Sequence, residues 1–151
     1  MSISEVMTRE VRVASPEDTL QNVARVMEDE DFGSLPVAEN DRLVGMLTDR
    51  DIAIRAVAHG LRPQDSKVRE IMSMDVQYVY DDESVQEAAR IMGDLHVRRL
   101  PVLDRERRLV GIVSLGDLAR SKPTSAGDAL QSIADAPSDQ NGTAQKSLAW
   151  K

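Results

Sequence analysis

Two stretches of this chain place a hydroxyl and a carboxylate one helical turn apart. Gly45-Met46-Leu47-Thr48-Asp49-Arg50-Asp51-Ile52 returns as Gly111-Ile112-Val113-Ser114-Leu115-Gly116-Asp117-Leu118. In each, an apolar run ends in a hydroxyl residue, and an Asp follows three positions on. Thr48-x-x-Asp51 and Ser114-x-x-Asp117 fit a helix capping box with Asp in place of the usual Glu. They also sit where a strand becomes a helix, and the free backbone N–H groups of a helix start suit an anion such as phosphate. The two roles are compatible, and the residue pattern leaves both open.

Other chemistry is thin. Positive charge gathers only at Arg98, Arg99, Arg105, Arg107 and Arg108. Arg98 and Arg99 have the planar fork that suits a phosphate, whereas the other three fall in a turn and read as solvent-exposed. His59 and His96, the only histidines, lie in different halves without HxxxH or HxH spacing, so no metal site is expected. The carboxylates are scattered or at helix starts, which gives no paired acid–base site. No Ser-His-Asp spacing and no GxxxxGK[ST] loop is present. The chain has no cysteine, which excludes disulfides, thiol catalysis and thiolate metal ligation. An enzyme is not expected.

The elements that must position these residues come in duplicate. Leu35-Pro36-Val37 returns as Leu100-Pro101-Val102, and Glu5-Val6-Met7 as Glu70-Ile71-Met72. Pairing residues 3–41 at an offset of 65 and 42–52 at 66 gives 16 identities in 50 positions. Chance gives about three or four, so the chain is an internal duplication. Residues 2–7 read as a short lead-in helix, and Lys67–Met72 repeat it. Val11–Ala14 and Val76–Tyr80 have the composition of short strands. Thr19 and Ser84 are expected helix N-caps, Ser84 forming a capping box with Glu87. The following helices carry Leu20, Val23, Ala24, Met27 and Val85, Ala88, Ala89, Met92, each set a single buried face. Leu35–Ala38 and Leu100–Leu103 read as strands, turns follow at 40–42 and 104–108, and Leu43–Leu47 and Leu109–Val113 return apolar enough to be covered on both faces. A second helix runs from Thr48 to Gly60, an apt terminal glycine, and its partner runs from Ser114 towards Ser121. Each half is thus strand-helix-strand-strand-helix, an α/β (α+β) fold. Neither half buries its sheet alone at about 55 residues, so the two are expected to pack together.

The domain reading is 1–59 for the first repeat with its lead-in, 60–66 for the linker and 67–121 for the second repeat. The tail, 122–151, turns to Ser, Ala, Asp, Gln, Gly and Thr and reads as mostly disordered, with a helical turn or two around Ala126–Ala134 and Trp150 without assigned function. A core is affordable at 41% hydrophobic residues, and it must be aliphatic because aromatics make up only 3%. The net charge of −7 repels polyphosphate backbones and argues against nucleic acid as partner. No run of 18 apolar residues and no basic-then-apolar start is present, so neither a membrane span nor a signal peptide is expected, and the reading is cytoplasmic.

The repeated Gly-hydrophobic-x-Thr/Ser-x-x-Asp motif, preceded each time by Leu-Pro-Val, resembles the CBS domain, and the pair resembles a Bateman module over roughly residues 1–120. The whole chain is similar to small stand-alone bacterial CBS-pair proteins. The resemblance implies a disc-like pseudo-two-fold pair with two clefts between the repeats, frequent homodimers, and adenosine-type ligands such as AMP, ADP or ATP. The function it implies is a non-catalytic sensor whose nucleotide changes what a regulated partner protein meets. Asp51 and Asp117 would accept hydrogen bonds from ribose hydroxyls, the device used by dinucleotide folds. Thr48, Ser114, Arg98 and Arg99 would contact phosphate. In the first repeat Gly33 and Ser34 stand where the second has its arginine pair, with Arg50 as the available substitute. The base would lie against Met7, Phe32 and Met46 in one half, and against Met72, Val97 and Ile112 in the other. The Gly33-Ser34 departure also motivates an alternative, a ligand-free structural or protein-interaction module.

Overall fold

The computed structural model describes residues 1–121, 127 and 130–134. It divides into two compact units, Arg12–Val76 and Met1–Val11 together with the chain from Gln77 onward. The sequence groups each lead-in with the repeat that follows it, but the units divide the chain differently. Residues 1–11 belong with the second repeat's sheet, and residues up to Val76 with the first.

In the Arg12–Val76 unit, α1 (Leu20–Glu30) starts at Thr19, whose hydroxyl accepts the Asn22 N–H at 3.2 Å. It ends at Asp31, which turns left-handed at φ 56°. Leu20, Val23 and Met27 are buried, whereas Ala24 is exposed and Val26 takes its place against the core. The stripe has rotated towards the bulkier side chain, because burying Val removes more apolar surface from water than burying Ala. β1 (Ser34–Glu39) and β2 (Arg42–Thr48) pair antiparallel with Ser34 opposite Thr48. Asn40 and Asp41, at φ 54° and 64°, make the two-residue turn that matches strand twist. β2 runs directly into α2 (Asp49–Asp51) and a π-helical stretch, Ile52–Val57. Gly60 closes that stretch at φ 74°, a conformation that favours glycine.

The strand expected at Val11–Ala14 shrinks to one parallel bridge. The Ala14 N–H donates to the Pro36 carbonyl at 2.9 Å, and the Ala38 N–H to Ala14. Extending the ladder upstream would need an N–H on Pro36 to reach Arg12, and proline has none. In the other unit β3 is likewise only Val79–Tyr80, parallel to β4 (Arg99–Leu103), where Pro101 occupies the place of Pro36. β5 (Leu109–Ser114) pairs antiparallel with β4, Arg99 opposite Ser114, and continues into α4 (Leu115–Ser121). α3 (Val85–Leu95) buries Val85, Ala88, Ala89 and Met92 as its spacing requires. Ser84 accepts the Glu87 N–H at 3.1 Å, but the expected capping box is only half made. Glu87 turns its carboxylate to Arg90 instead, a charge-assisted pair on the same helix face. β2 and β5 are covered more at their ends than at their starts, and Leu43, Val44, Leu109 and Val110 are half-buried. Of the tail reading, Gly127 and residues 130–134 are helical. The remaining tail positions and Trp150 lie outside the described residues.

The lead-ins explain the repeated glycine. Thr8 bridges Ile112 through two main-chain hydrogen bonds of 2.8 and 2.9 Å, and Ser73 bridges Met46 through two of 2.8 Å. Each crossing passes directly over the motif glycine. A Cβ on Gly111 would meet Met7 Sδ at 2.7 Å and the Thr8 carbonyl at 2.8 Å, and one on Gly45 would meet the Ser73 carbonyl at 2.8 Å and Met72 Sδ at 2.9 Å. Gly45→Ala and Gly111→Ala should therefore each lower stability by about 1–3 kcal/mol in urea denaturation. Gly116→Ala, whose Cβ would meet nothing nearer than 3.6 Å, should be neutral or stabilising in its helix.

Candidate ligand site

The strand-to-helix turns form reciprocal locks. The Thr48 N–H donates to Asp51 Oδ2 at 3.0 Å, and the Asp51 N–H donates to Thr48 Oγ1 at 2.9 Å. The Ser114 N–H donates to Asp117 Oδ2 at 2.8 Å, and the Asp117 N–H to Ser114 Oγ at 3.1 Å. Both carboxylates are buried, at 6% and 5% exposure, so the capping role read from sequence is present twice. Each second carboxylate oxygen meets an arginine. Arg55 lies 3.7 Å from Asp51 Oδ1 and also donates to the Ile71 carbonyl at 3.0 Å, while Arg120 donates to Asp117 Oδ1. Sequence reasoning missed these two arginines, although Asp-x-x-x-Arg and Asp-x-x-Arg are helix-pairing spacings.

Burial pushes the Asp51 carboxyl above its ordinary value, against the opposing pull of the Thr48 N–H and Arg55. The locks define the neighbourhood of each helix start. The Asp49 N–H donates to the Gly33 carbonyl at 2.9 Å, and the Leu115 N–H to the Arg98 carbonyl at 2.8 Å. Gly33 and Arg98 thus occupy equivalent places, as the duplication requires. Arg98 is exposed and Arg99 half-buried at the start of β4, so the Arg98-Arg99 pair adjoins the Ser114-Asp117 lock. Most arginines are tied down elsewhere, Arg90, Arg105, Arg107 and Arg108 among them. The Arg98 side chain has no ion pair or hydrogen bond to a described residue. Arg50 is exposed, one position beyond Asp49 and so about 100° round the helix from it.

The apolar residues regroup. The sequence places Met7 with Phe32 and Met46, and Met72 with Val97 and Ile112. The structure instead sets Met7 against Gly111 beside Ile112, and Met72 against Gly45 beside Met46. The cause is the pairing of each lead-in with the other repeat's strand. Met46 and Val97 are closed to solvent at 1% and 0% exposure, whereas Phe32, Met72 and Ile112 are half-buried. Phe32 and Met72 both pack on the core of the Arg12–Val76 unit. His59 Nδ1 lies 3.1 Å from the Ile54 carbonyl, and His96 belongs to the other unit. Among the described residues no three His, Cys, Asp or Glu side chains converge to hold a metal, and no helix is long and apolar enough to cross a membrane.

The CBS domain family matches residues 3–57 and 68–123. The CBS domain-containing protein YhcV of Bacillus subtilis is 42% identical over 134 residues, covering 87% of this chain and 94% of that one. Hypoxic response protein 1 of Mycobacterium tuberculosis is 41% identical over 123 residues, covering 81% and 85%. The crystal structure of Hypoxic Response Protein I with two coordinated zinc ions superposes with a TM-score of 0.72 at 38% identity, covering 80% of this chain and 98% of that one. The CBS domain pair of protein MJ0100, in complex with 5′-methylthioadenosine and S-adenosyl-L-methionine, gives a TM-score of 0.67 at 27% identity, covering 80% and 98%. Two repeats, each with its strand-to-helix lock, and matches across most of both partners' lengths leave one assignment. This chain belongs to the CBS-domain family and is a CBS-pair regulatory module.

The Asp51 shift has a readable sign. A carboxyl whose pKa is higher folded than unfolded holds its proton more tightly when folded. It therefore favours the fold at acid pH, and that contribution is lost as pH rises from the ordinary Asp value through the folded one. The stability difference between the protein and Asp51→Asn, measured by urea denaturation from pH 3.5 to 7, should shift against the Asp protein as pH rises and then level off. A difference that moves the opposite way would contradict the burial assignment.

Proposed function

We propose that the chain is a non-catalytic sensor that binds an adenosine-type nucleotide, such as AMP, ADP or ATP, at the strand-to-helix turns. The observation that carries this reading is the Arg98 guanidinium, uncommitted and exposed beside the Ser114-Asp117 lock. Phosphate would engage Arg98, Arg99 and the Ser114 hydroxyl, Arg99 adding a second planar fork. Asp117 would accept from the ribose hydroxyls, with Arg120 orienting its carboxylate. Thr48 and Asp51 offer the equivalent turn in the other unit. Ile112 and Met7 in one unit, and separately Phe32 and Met72 in the other, supply aliphatic and aromatic surface for a base. The two ligands in the MJ0100 complex, both built on adenosine, support the same chemical class. Occupancy would reorganise the locks and so change the surface that a regulated partner protein meets.

A ligand-free interaction module is the alternative, and the closed state of both locks favours it. Thermal melting with millimolar AMP, ADP and ATP separates the two. A ligand at 100 times its Kd stabilises by about 2.7 kcal/mol, or about 5–11 °C for a chain of this size. The expected result is a rise with at least one nucleotide and a loss of affinity of about tenfold or more in Arg98→Ala/Arg99→Ala. No rise with any of the three would leave the interaction module.

A further inference from the structure

The two turns share a backbone and differ in charge at the place where a ligand's 5′ end would meet them. At the position held by Arg98 in one unit stands Gly33 in the other, and at that held by Arg99 stands Ser34. Asp49 takes the place of Leu115. The carboxylate of Asp49 lies over Gly33, with Oδ2 3.1 Å from where a Cβ would sit. No hydrogen bond or ion pair to a described residue holds it. Where one unit presents two guanidinium groups, the other presents one free carboxylate.

Arg50 does not reverse this. Adjacent helical residues point about 100° apart, so with Asp49 facing Gly33 the Arg50 side chain leaves in another direction. A phosphate brought to Gly33 would meet the like charge of Asp49 at short range, while the charges of Arg50 and Arg55 act on Asp51. An uncharged or cationic group would not.

Resting on the nucleotide reading above, we propose that the two sites select opposite ligand charge. The Arg98-Arg99 site takes a phosphorylated adenosine compound, and the Gly33-Asp49 site takes an adenosine compound whose 5′ end is uncharged or cationic. Gly33 and Asp49 are then specificity-determining residues, and the chain reads two ligand pools rather than one pool twice.

Calorimetric titration of the full chain with AMP and with adenosine tests this. The expected result is one AMP bound tightly per chain, with adenosine filling a second site that AMP enters at least about tenfold more weakly. Arg98→Ala/Arg99→Ala should abolish the tight AMP event and leave one adenosine site. Asp49→Asn, which keeps the side-chain shape, should raise the ratio of AMP to adenosine affinity at the second site about fivefold. Two AMP molecules bound with equal affinity, or an unchanged ratio in Asp49→Asn, would overturn the inference while leaving the nucleotide reading standing. If neither AMP nor adenosine binds the unsubstituted protein at millimolar concentration, both fall together.

Discussion

A buried carboxylate that closes onto the start of its own helix is the constraint on which the candidate site depends. Asp51 and Asp117 each accept the N–H of the hydroxyl residue three positions back and are answered by that residue's oxygen. A buried carboxylate is tolerable only when its hydrogen-bonding capacity is met. Each carboxylate accepts one backbone N–H; in addition Asp117 accepts from Arg120, while Asp51 is ion-paired with Arg55 at 3.7 Å. In meeting that need each lock fixes the strand's last residue to the helix's first turn. The main chain of residues 33 and 98 is then pinned beside the turn by a single N–H bond each. Whatever side chain those positions carry is therefore presented at the same point in space relative to the lock. The fold supplies the frame, and the residue at 33 or 98 supplies the charge.

The second constraint is steric. Each motif glycine lies under a main-chain crossing, Thr8 over Gly111 and Ser73 over Gly45, with no room for a methyl group. The crossing brings a methionine, Met7 or Met72, to the strand that feeds the lock. The apolar ground beside each site is thus built by a segment remote in sequence from the motif it serves. Stability and site assembly share these contacts, so the glycines belong to the fold before they belong to any ligand.

Much of this was legible in the sequence, because it is local. Thr19 and Ser84 declare their helix starts, and Val85, Ala88, Ala89 and Met92 declare a face. The locks themselves are a four-residue pattern. What was not legible is non-local. Glu5-Val6-Met7 and Glu70-Ile71-Met72 are so alike that nothing within them says which repeat's strand each will join. The shortening of Val11–Ala14 follows from Pro36, a residue on a strand that Val11–Ala14 does not yet know it will meet. Ala24 follows the helical period but not the choice of side chain made by the core. The charge difference between the turns stood in plain sight as Gly33-Ser34 against Arg98-Arg99. The structure was needed to show that Asp49 lies over the vacancy at Gly33.

The most direct test of nucleotide binding at the lock is residue-resolved. Backbone amide NMR spectra of the 15N-labelled chain, recorded during titration with AMP, report where the ligand sits. The account predicts the largest shifts at the amides of Arg98, Arg99 and Ser114 to Leu118, saturating together along one binding curve. Shifts absent from those amides at millimolar AMP, or confined to residues remote from both locks, would contradict it.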